Sequence, residues 1–506
     1  MPEQIPPRAT LSPAPPHAGG RLSHTVCRPA SLFARRDRGW GVRLGRVFTG
    51  LRRYFRPPSV LAGRLSVQSL LFALGEGTFM TGSAVFFTQI VGLSAPQVGL
   101  GLTIAGVASF LAAVPMGRAA DRFGAKRMWA LSSAGQAGLF AVWPFITDFR
   151  GYVAMAVAME VVGALGGAGH GAYTIDVLPP DERVRSRAYM YSALNVGFTL
   201  GSAVGGAALA VQSNDLLRAV PWFTAGVFLL NAFMVLRLPH AAHDQRTPEQ
   251  RRSTIPGPGP LRNPGWLLST FFVGVLWTNQ VLLNLVIPMW LVEKTDAPRV
   301  LLAALFGTNT VMCIFLPMLA ARGVKDVRTA LRAVRVSTAF FIVSCIITLA
   351  THDTLGWQTI ALVWLGHVTV TGAELYLSAA SWSFEAELMD PRRRGEYQGA
   401  AELSGTLGKV WAPALYTFLA MSWGAPGWIV IAAIVTLAGA GLHPASRMAE
   451  RFLARHVPAE VSAGDAGTDE QLADTPVTGP PLFSDAGPGP HAAIETIEPA
   501  TGERLH

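Results

Sequence analysis

Three carboxylates stand where charge is hard to keep. Glu76, Glu160 and Glu374 each lie inside long stretches of Ala, Val, Leu, Ile, Phe and Gly. An ionised carboxylate away from water is costly, so it pairs, faces a polar cavity, or exchanges a proton as its surroundings turn from wet to dry. Proton loading and release is the chemistry these residues suggest, with Glu76 and Glu374 the preferred carriers. Lys409 stands about as far into its own stretch as Glu374 does, and at 1.5 Å of rise per residue the two could pair. That pairing would hold Glu374 ionised and leave Glu76 as the carrier. Glu402, close to the start of its stretch, reads as a capping or packing group.

Other chemistries lack their residues. There is no Walker loop, no HExxH and no GxSxG in the sequence, so neither ATP drive nor these hydrolytic centres are expected. Cys27, Cys313 and Cys345 show no metal-ligand spacing and no disulfide framework. His170 and His367 are isolated among glycine or apolar neighbours. No cofactor, no metal and no enzyme activity are expected.

The elements that must carry these groups follow from composition. Of 506 residues, 50% are hydrophobic and only 14% charged, against about 25% charged in soluble domains. The apolar residues form blocks close to the length that crosses a bilayer. Candidate spans run over 67–91, 95–117, 127–147, 152–176, 188–212, 218–237, 264–291, 299–321, 329–350, 357–386, 398–421 and 425–443. Blocks this continuous, without alternation of period two, are helices and not barrel strands. The expected fold is therefore an all-α integral membrane protein of about twelve transmembrane helices.

Arginines set the orientation. Arg118, Arg122, Lys126 and Arg127, then Arg183, Arg185 and Arg187, then Arg246, Arg251, Arg252 and Arg262 fall in alternate connections. The pattern continues with Arg322, Lys325, Arg328, Arg332 and Arg335, then Arg392, Arg393 and Arg394. The positive-inside rule places these loops and both termini in the cytoplasm. A net charge of +9 distributed this way reads as topology, not as a nucleic-acid surface. The chain divides into a basic Pro/Arg-rich tail (1–66), six spans (67–237), a polar linker (238–262), six more spans (263–443) and an acidic tail (444–506) expected to be disordered. In the first tail Leu44, Val47, Phe48, Leu51 and Phe55 recur at helical spacing, which suits either an interfacial helix on membrane lipid or a disordered basic segment.

The halves are weakly repeated. Residues 114–128 and 316–330 both follow the second span of their half, and 176–189 and 387–397 both follow the fourth. The sharpest motif is Gly117-Arg118-Ala119-Ala120-Asp121-Arg122-Phe123-Gly124-Ala125-Lys126. It resembles the loop 2–3 signature of the major facilitator superfamily, with Ala119 where Leu and Ala125 where Arg are usual. The fifth span carries Gly197, Gly201, Gly205 and Gly206, similar to the family's antiporter signature except that Ser202 replaces its proline. Glycines four apart let helices approach closely. Unlike the family's drug–proton antiporters, the fourth span has no arginine.

The resemblance implies two pseudo-symmetric six-helix bundles that rock about a central cavity. It implies that Gly117, Asp121, Arg122, Gly124 and Lys126 form a conformational latch, with Arg185 or Arg187 as partner. Asp121 could instead accept from the N-terminus of a neighbouring helix. The first, fourth, seventh and tenth helices would line the cavity, which makes His170, Tyr173, Asn279, Gln280, Asn284, Trp364, His367 and Tyr376 lining candidates. The expected activity is proton-coupled efflux of a small amphipathic organic compound by a monomer in the bacterial cytoplasmic membrane. Alternatives are a proton-coupled uptake symporter of the same fold, a polytopic membrane enzyme, or a receptor.

Overall fold

A computed structural model describes residues 56–241 and 257–457. The amphipathic stretch around Leu44–Phe55, most of the linker and the acidic tail beyond residue 457 lie outside the described residues.

Among the described residues the chain is helical, without strands, in twelve successive passages. In the first half, α1 spans Val60–Ile90, its last turn widened to a π turn at Phe86–Ile90. It is followed by α2 (Ala95–Phe123), α3 (Ala125–Val142), α4 (Phe149–Val177), α5 (Arg183–Ala210) and α6 (Asn214–Leu236). In the second half, α7 spans Pro264–Lys294 with a break after Leu276 and a π turn at Leu282–Val286. Then come α8 (Leu301–Phe315), α9 (Val327–Ala350), α10 (Trp357–Glu387), α11 (Arg394–Lys409, resumed at Ala412–Phe418) and α12 (Ala425–His456).

Local chemistry sets the ends. Ser59, Ser94, Asp148, Ser213, Asn263 and Asp326 are N-caps whose side chains accept from the first-turn amides of α1, α2, α4, α6, α7 and α9. Ser94 with Gln97, and Asp326 with Thr329, complete capping boxes. Gly124 stands at φ 100° between α2 and α3, a left-handed backbone that allows one helix to end and the next to begin without a loop.

Nine of these passages are long and apolar enough to cross a membrane. The others fall short for visible reasons. α3 opens on Lys126 and Arg127 and carries Ser132, Ser133 and Gln136; α8 stops before Pro317; α11 carries Arg394, Glu396, Glu402 and Lys409. Several helices also run past the apolar blocks that mark them in the sequence. α1 begins at Val60 rather than 67, α5 at Arg183 rather than 188, and α12 continues from 443 to His456. Charges end an apolar run but not a helix, because a capped, amphipathic turn keeps its backbone bonds in water.

α1 packs on α5, α2 on α4 and α3 on α6; in the second half α7 packs on α11 and α12, and α9 on α10. The α1–α5 contact is backbone to backbone. A Cβ at Gly197, Gly201 or Gly205 would strike the carbonyls of Leu70, Leu74 and Thr78. Gly206 has open space where its Cβ would be, so it lies off this stripe. α2 and α4 of the first half pack on α11 of the second, and α5 packs on α8 and α10.

Candidate functional site

Glycine makes the room in the first half. Gly163 and Gly167 on α4 have nothing within van der Waals reach of a Cβ, and a cavity of about 330 Å³ opens there. Gln68, Ser69, Phe72 and Glu76 of α1 line it, with Trp129, Ser132, Ser133 and Gln136 of α3, Met159, Glu160 and His170 of α4, and Leu194 of α5. Two carboxylates therefore share one wall-to-wall space with amide, hydroxyl, aromatic and thioether groups. The polar wall is braced from behind, where Gln68 donates to Asn231 (3.1 Å) and Asn231 to Ser133 (3.0 Å). Like charges confined together favour any occupant that neutralises one of them, a proton or a cation.

A second cavity of about 220 Å³ lies between α7, α10 and α11. Trp266, Trp277, Phe384, Glu385, Glu402 and Lys409 are among its lining residues. Lys409 is exposed there, while Glu374 faces elsewhere: its oxygens accept from Tyr191 (2.5 Å), Asn309 (3.2 Å) and Cys313 (3.7 Å). The expected Glu374–Lys409 pair is thus corrected. Similar distance along two helices does not fix which neighbour each side chain meets, and Glu374 meets α5 and α8.

The halves are tied together at the arginine-rich end. Asp121 accepts from the backbone amides of Gly395 (2.7 Å) and Glu396 (2.8 Å), the first turn of α11. An anion there meets the positive end of the helix dipole. Gly117 and Gly395 make the approach possible, since a Cβ on either would strike the other's carbonyl. Arg118 reaches Glu396 at 2.9 Å. Arg394 forms a buried ion pair with Asp176 of α4, and Arg187 of α5 binds Glu385 of α10 at 2.5 Å. Arg187 therefore does bridge the halves, but through Glu385, and Arg185 is exposed. Lys126 is buried and donates to the Leu238 carbonyl; Arg122 is exposed and lies over the Phe123 ring at 5.5 Å.

The model of the Major Facilitator Superfamily matches residues 65–413. The chain belongs to that superfamily. It is a multi-pass membrane protein and a secondary transporter, not an enzyme. A Na(+), Li(+), K(+)/H(+) antiporter from Planococcus maritimus is 25% identical over 382 residues, covering 70% of this chain and 88% of that one. Among solved structures, a bacterial homologue of the iron transporter ferroportin in an outward-facing state with soaked iron has a TM-score of 0.61 at 14% identity, covering 77% of this chain and all of that one. The proton:xylose symporter XylE has 0.57 at 14% identity, covering 76% of this chain and 94% of that one. FucP in an outward conformation has 0.57 at 13% identity, covering 78% of this chain and 99% of that one. At such identities the structures speak for the fold alone.

In this transporter the lining candidates divide. His170 lines the first cavity, its ring 4.8 Å from that of Trp129. Gln280 and the exposed Asn284 are bonded to each other at the broken middle of α7. Asn279 is buried there with neither side-chain polar atom bonded, and both His367 ring nitrogens are likewise buried without a bond. Trp364 is half-exposed and donates to Thr308 of α8 at 3.1 Å. One candidate is corrected. Tyr173 is fully buried and anchors the chain after α6 by donating to the Pro239 carbonyl at 2.8 Å. Tyr376 is half-buried and stacks on Phe340 of α9 at 5.8 Å. An aromatic residue on a cavity helix faces the cavity only over part of its turn.

Sequence reasoning missed Glu385, Glu396, Asp176 and Tyr191. The three acids sit in or beside polar connections and read there as solvated. Arg187 lies 198 residues from Glu385 and Arg118 lies 278 from Glu396, so spacing along the chain did not mark these pairs.

Proposed function

We propose that this protein exports a small amphipathic organic cation in exchange for protons, across a bacterial cytoplasmic membrane that its twelve helices span with both termini inside. The shared cavity of Glu76 and Glu160 carries this reading: its carboxylates suit a proton or a positive charge, and Phe72, Trp129 and Met159 suit an apolar body. Glu76 and Glu160 are the exchange pair, binding protons in one state and cargo in the other. With the arginine-rich end cytoplasmic, the bonds from Asp121, Arg118, Arg187 and Arg394 close the inner side, so this conformation faces outward. The Gly197–Gly205 stripe, similar to the antiporter signature, favours exchange over symport.

A second reading has its own support. The 25% identical relative is named for Na(+), Li(+) and K(+) exchange against protons, and a carboxylate pair with nearby hydroxyls and amides can take a hard cation. Inverted vesicles, acid inside, separate these readings. Proton loss on adding organic cations, absent in Glu76→Gln, supports the first; loss only with Na⁺, Li⁺ or K⁺ supports the second. Silence to both, with proton-driven accumulation in right-side-out vesicles, would sink export and leave uptake.

A further inference from the structure

Glu374 is 5% exposed, in mid-helix, and every donor it meets comes from another element. The Tyr191 hydroxyl of α5 donates to Oε1 at 2.5 Å, the Cys313 thiol of α8 to the same oxygen at 3.7 Å, and the Asn309 amide of α8 to Oε2 at 3.2 Å. α5 belongs to one half and α8 and α10 to the other, so one carboxylate joins them. The contact is sealed by Met312, Leu316, Leu375 and Tyr376. Beside it the Ser192 hydroxyl meets the Met318 sulfur at 3.5 Å, and Tyr191 packs edge-on against Trp382 at 5.8 Å.

Among the described contacts of Glu374 there is no cation. Arg187, one turn before Tyr191 on α5, is taken by Glu385. The titratable groups that face Glu374 are Tyr191 from α5 and Cys313 from α8. α9, packed behind α10, offers the Ser337 hydroxyl, spent on the Ala373 carbonyl, and the Phe340 ring. On α10 itself the Tyr376 ring, two residues on, stacks on Phe340, and His367 lies two turns away against Phe306.

An ionised carboxylate only accepts, and three converging donors suit that form. A carboxylic acid carries a hydrogen on one oxygen, which the Tyr191 hydroxyl would have to turn and accept or a neighbouring donor yield to, and the bonds that remain are neutral and weaker. We propose that Tyr191 and Glu374 form a second clasp between the halves, separate from the Asp121 latch, whose grip depends on the carboxylate's charge. A proton taken up by Glu374 loosens α5 from α8 and α10 and favours opening at the arginine-rich end. Glu374 and Tyr191 are positioning residues here; they set the balance of states and need not touch cargo. The inference depends on alternation between two states and not on the identity of the solute or the direction of its movement.

The test measures the distance between spin labels at Arg127→Cys (α3) and Arg328→Cys (α9), exposed positions of the two halves. The full chain in lipid nanodiscs would carry Cys27→Ser, Cys313→Ser and Cys345→Ser, the serine at 313 retaining a donor. Above neutral pH the short distance should dominate, and acid should enlarge the long-distance population. Tyr191→Phe should raise the long-to-short ratio about tenfold, as loss of one charge-assisted bond implies. Glu374→Gln should do the same at every pH, and the double variant no more than either single one. Glu374→Asp, which keeps the charge, should keep the pH response. Unchanged distances in Tyr191→Phe would overturn the clasp, as would additive effects in the double variant. A pH response of undiminished size in Glu374→Gln would overturn its charge dependence. Should Glu374→Gln fail to fold, Tyr191→Phe and the pH series in the background decide the matter.

Discussion

Glu76 and Glu160 come from α1 and α4 and meet at a cavity that neither helix could form alone. If they are the exchange pair, Glu76→Gln and Glu160→Gln should each keep the cavity's shape and abolish coupling. Counterflow of labelled cargo at equal pH on both sides should persist, while the response to an imposed pH gradient falls at least about tenfold; full coupling in both variants would remove the assignment. Asp121 makes a separable contribution. Its two oxygens each hold an amide of α11, whereas asparagine offers one acceptor oxygen. Bonds to a charged group contribute about 1.5–3 kcal/mol, so Asp121→Asn should shift the balance of states by roughly ten- to a hundredfold. Transport should drop with insertion and expression near normal. Unchanged flux would show that the α2–α11 contact is only a packing surface.

At the scale of elements, glycines do different work at similar spacings. Gly201 faces the backbone of α1, and Gly206 on the same helix faces open space. Overpacking typically costs about 1–3 kcal/mol. Gly201→Ala should therefore lower the melting temperature in detergent by several degrees or prevent assembly, and Gly206→Ala should leave it unchanged. Equal effects would mean that helix propensity, not contact, governs this helix. The Gly-x3-Gly pattern was legible in the sequence, and so was its packing role, but the pattern does not say which glycine faces the partner. The same ambiguity misplaced Tyr173. Its helix was legible, but its rotation about the helix axis was not.

At the scale of the whole molecule, the twelve passages of the described residues fall six on either side of residues 242–256, and arginines gather at one end. If that end is cytoplasmic, a membrane-impermeant maleimide added to intact cells should label Asp353→Cys, which is exposed between α9 and α10. It should spare Arg127→Cys and Arg328→Cys until the cells are opened. Labelling with the opposite pattern would invert the proposed topology and exchange the inner for the outer side.

Hydropathy and charge determine much of this protein without tertiary information. Long apolar runs force helices in lipid because no other open structure satisfies the backbone there. Capping residues fix several helix ends, and alternate arginines give the expected orientation. The loop 2–3 motif, a local string, identifies the family that the match over residues 65–413 establishes. Contacts between helices were another matter. Glu160 beside Glu76, Glu385 against Arg187, and Glu374 with Tyr191 rather than Lys409 depend on how each helix is rotated and which helix lies beside it. Those choices follow from the summed packing of many small contacts, through glycines that admit one neighbour and side chains that exclude another. Spacing along the chain gives a residue its place along a helix axis, and only the assembled bundle gives it a partner.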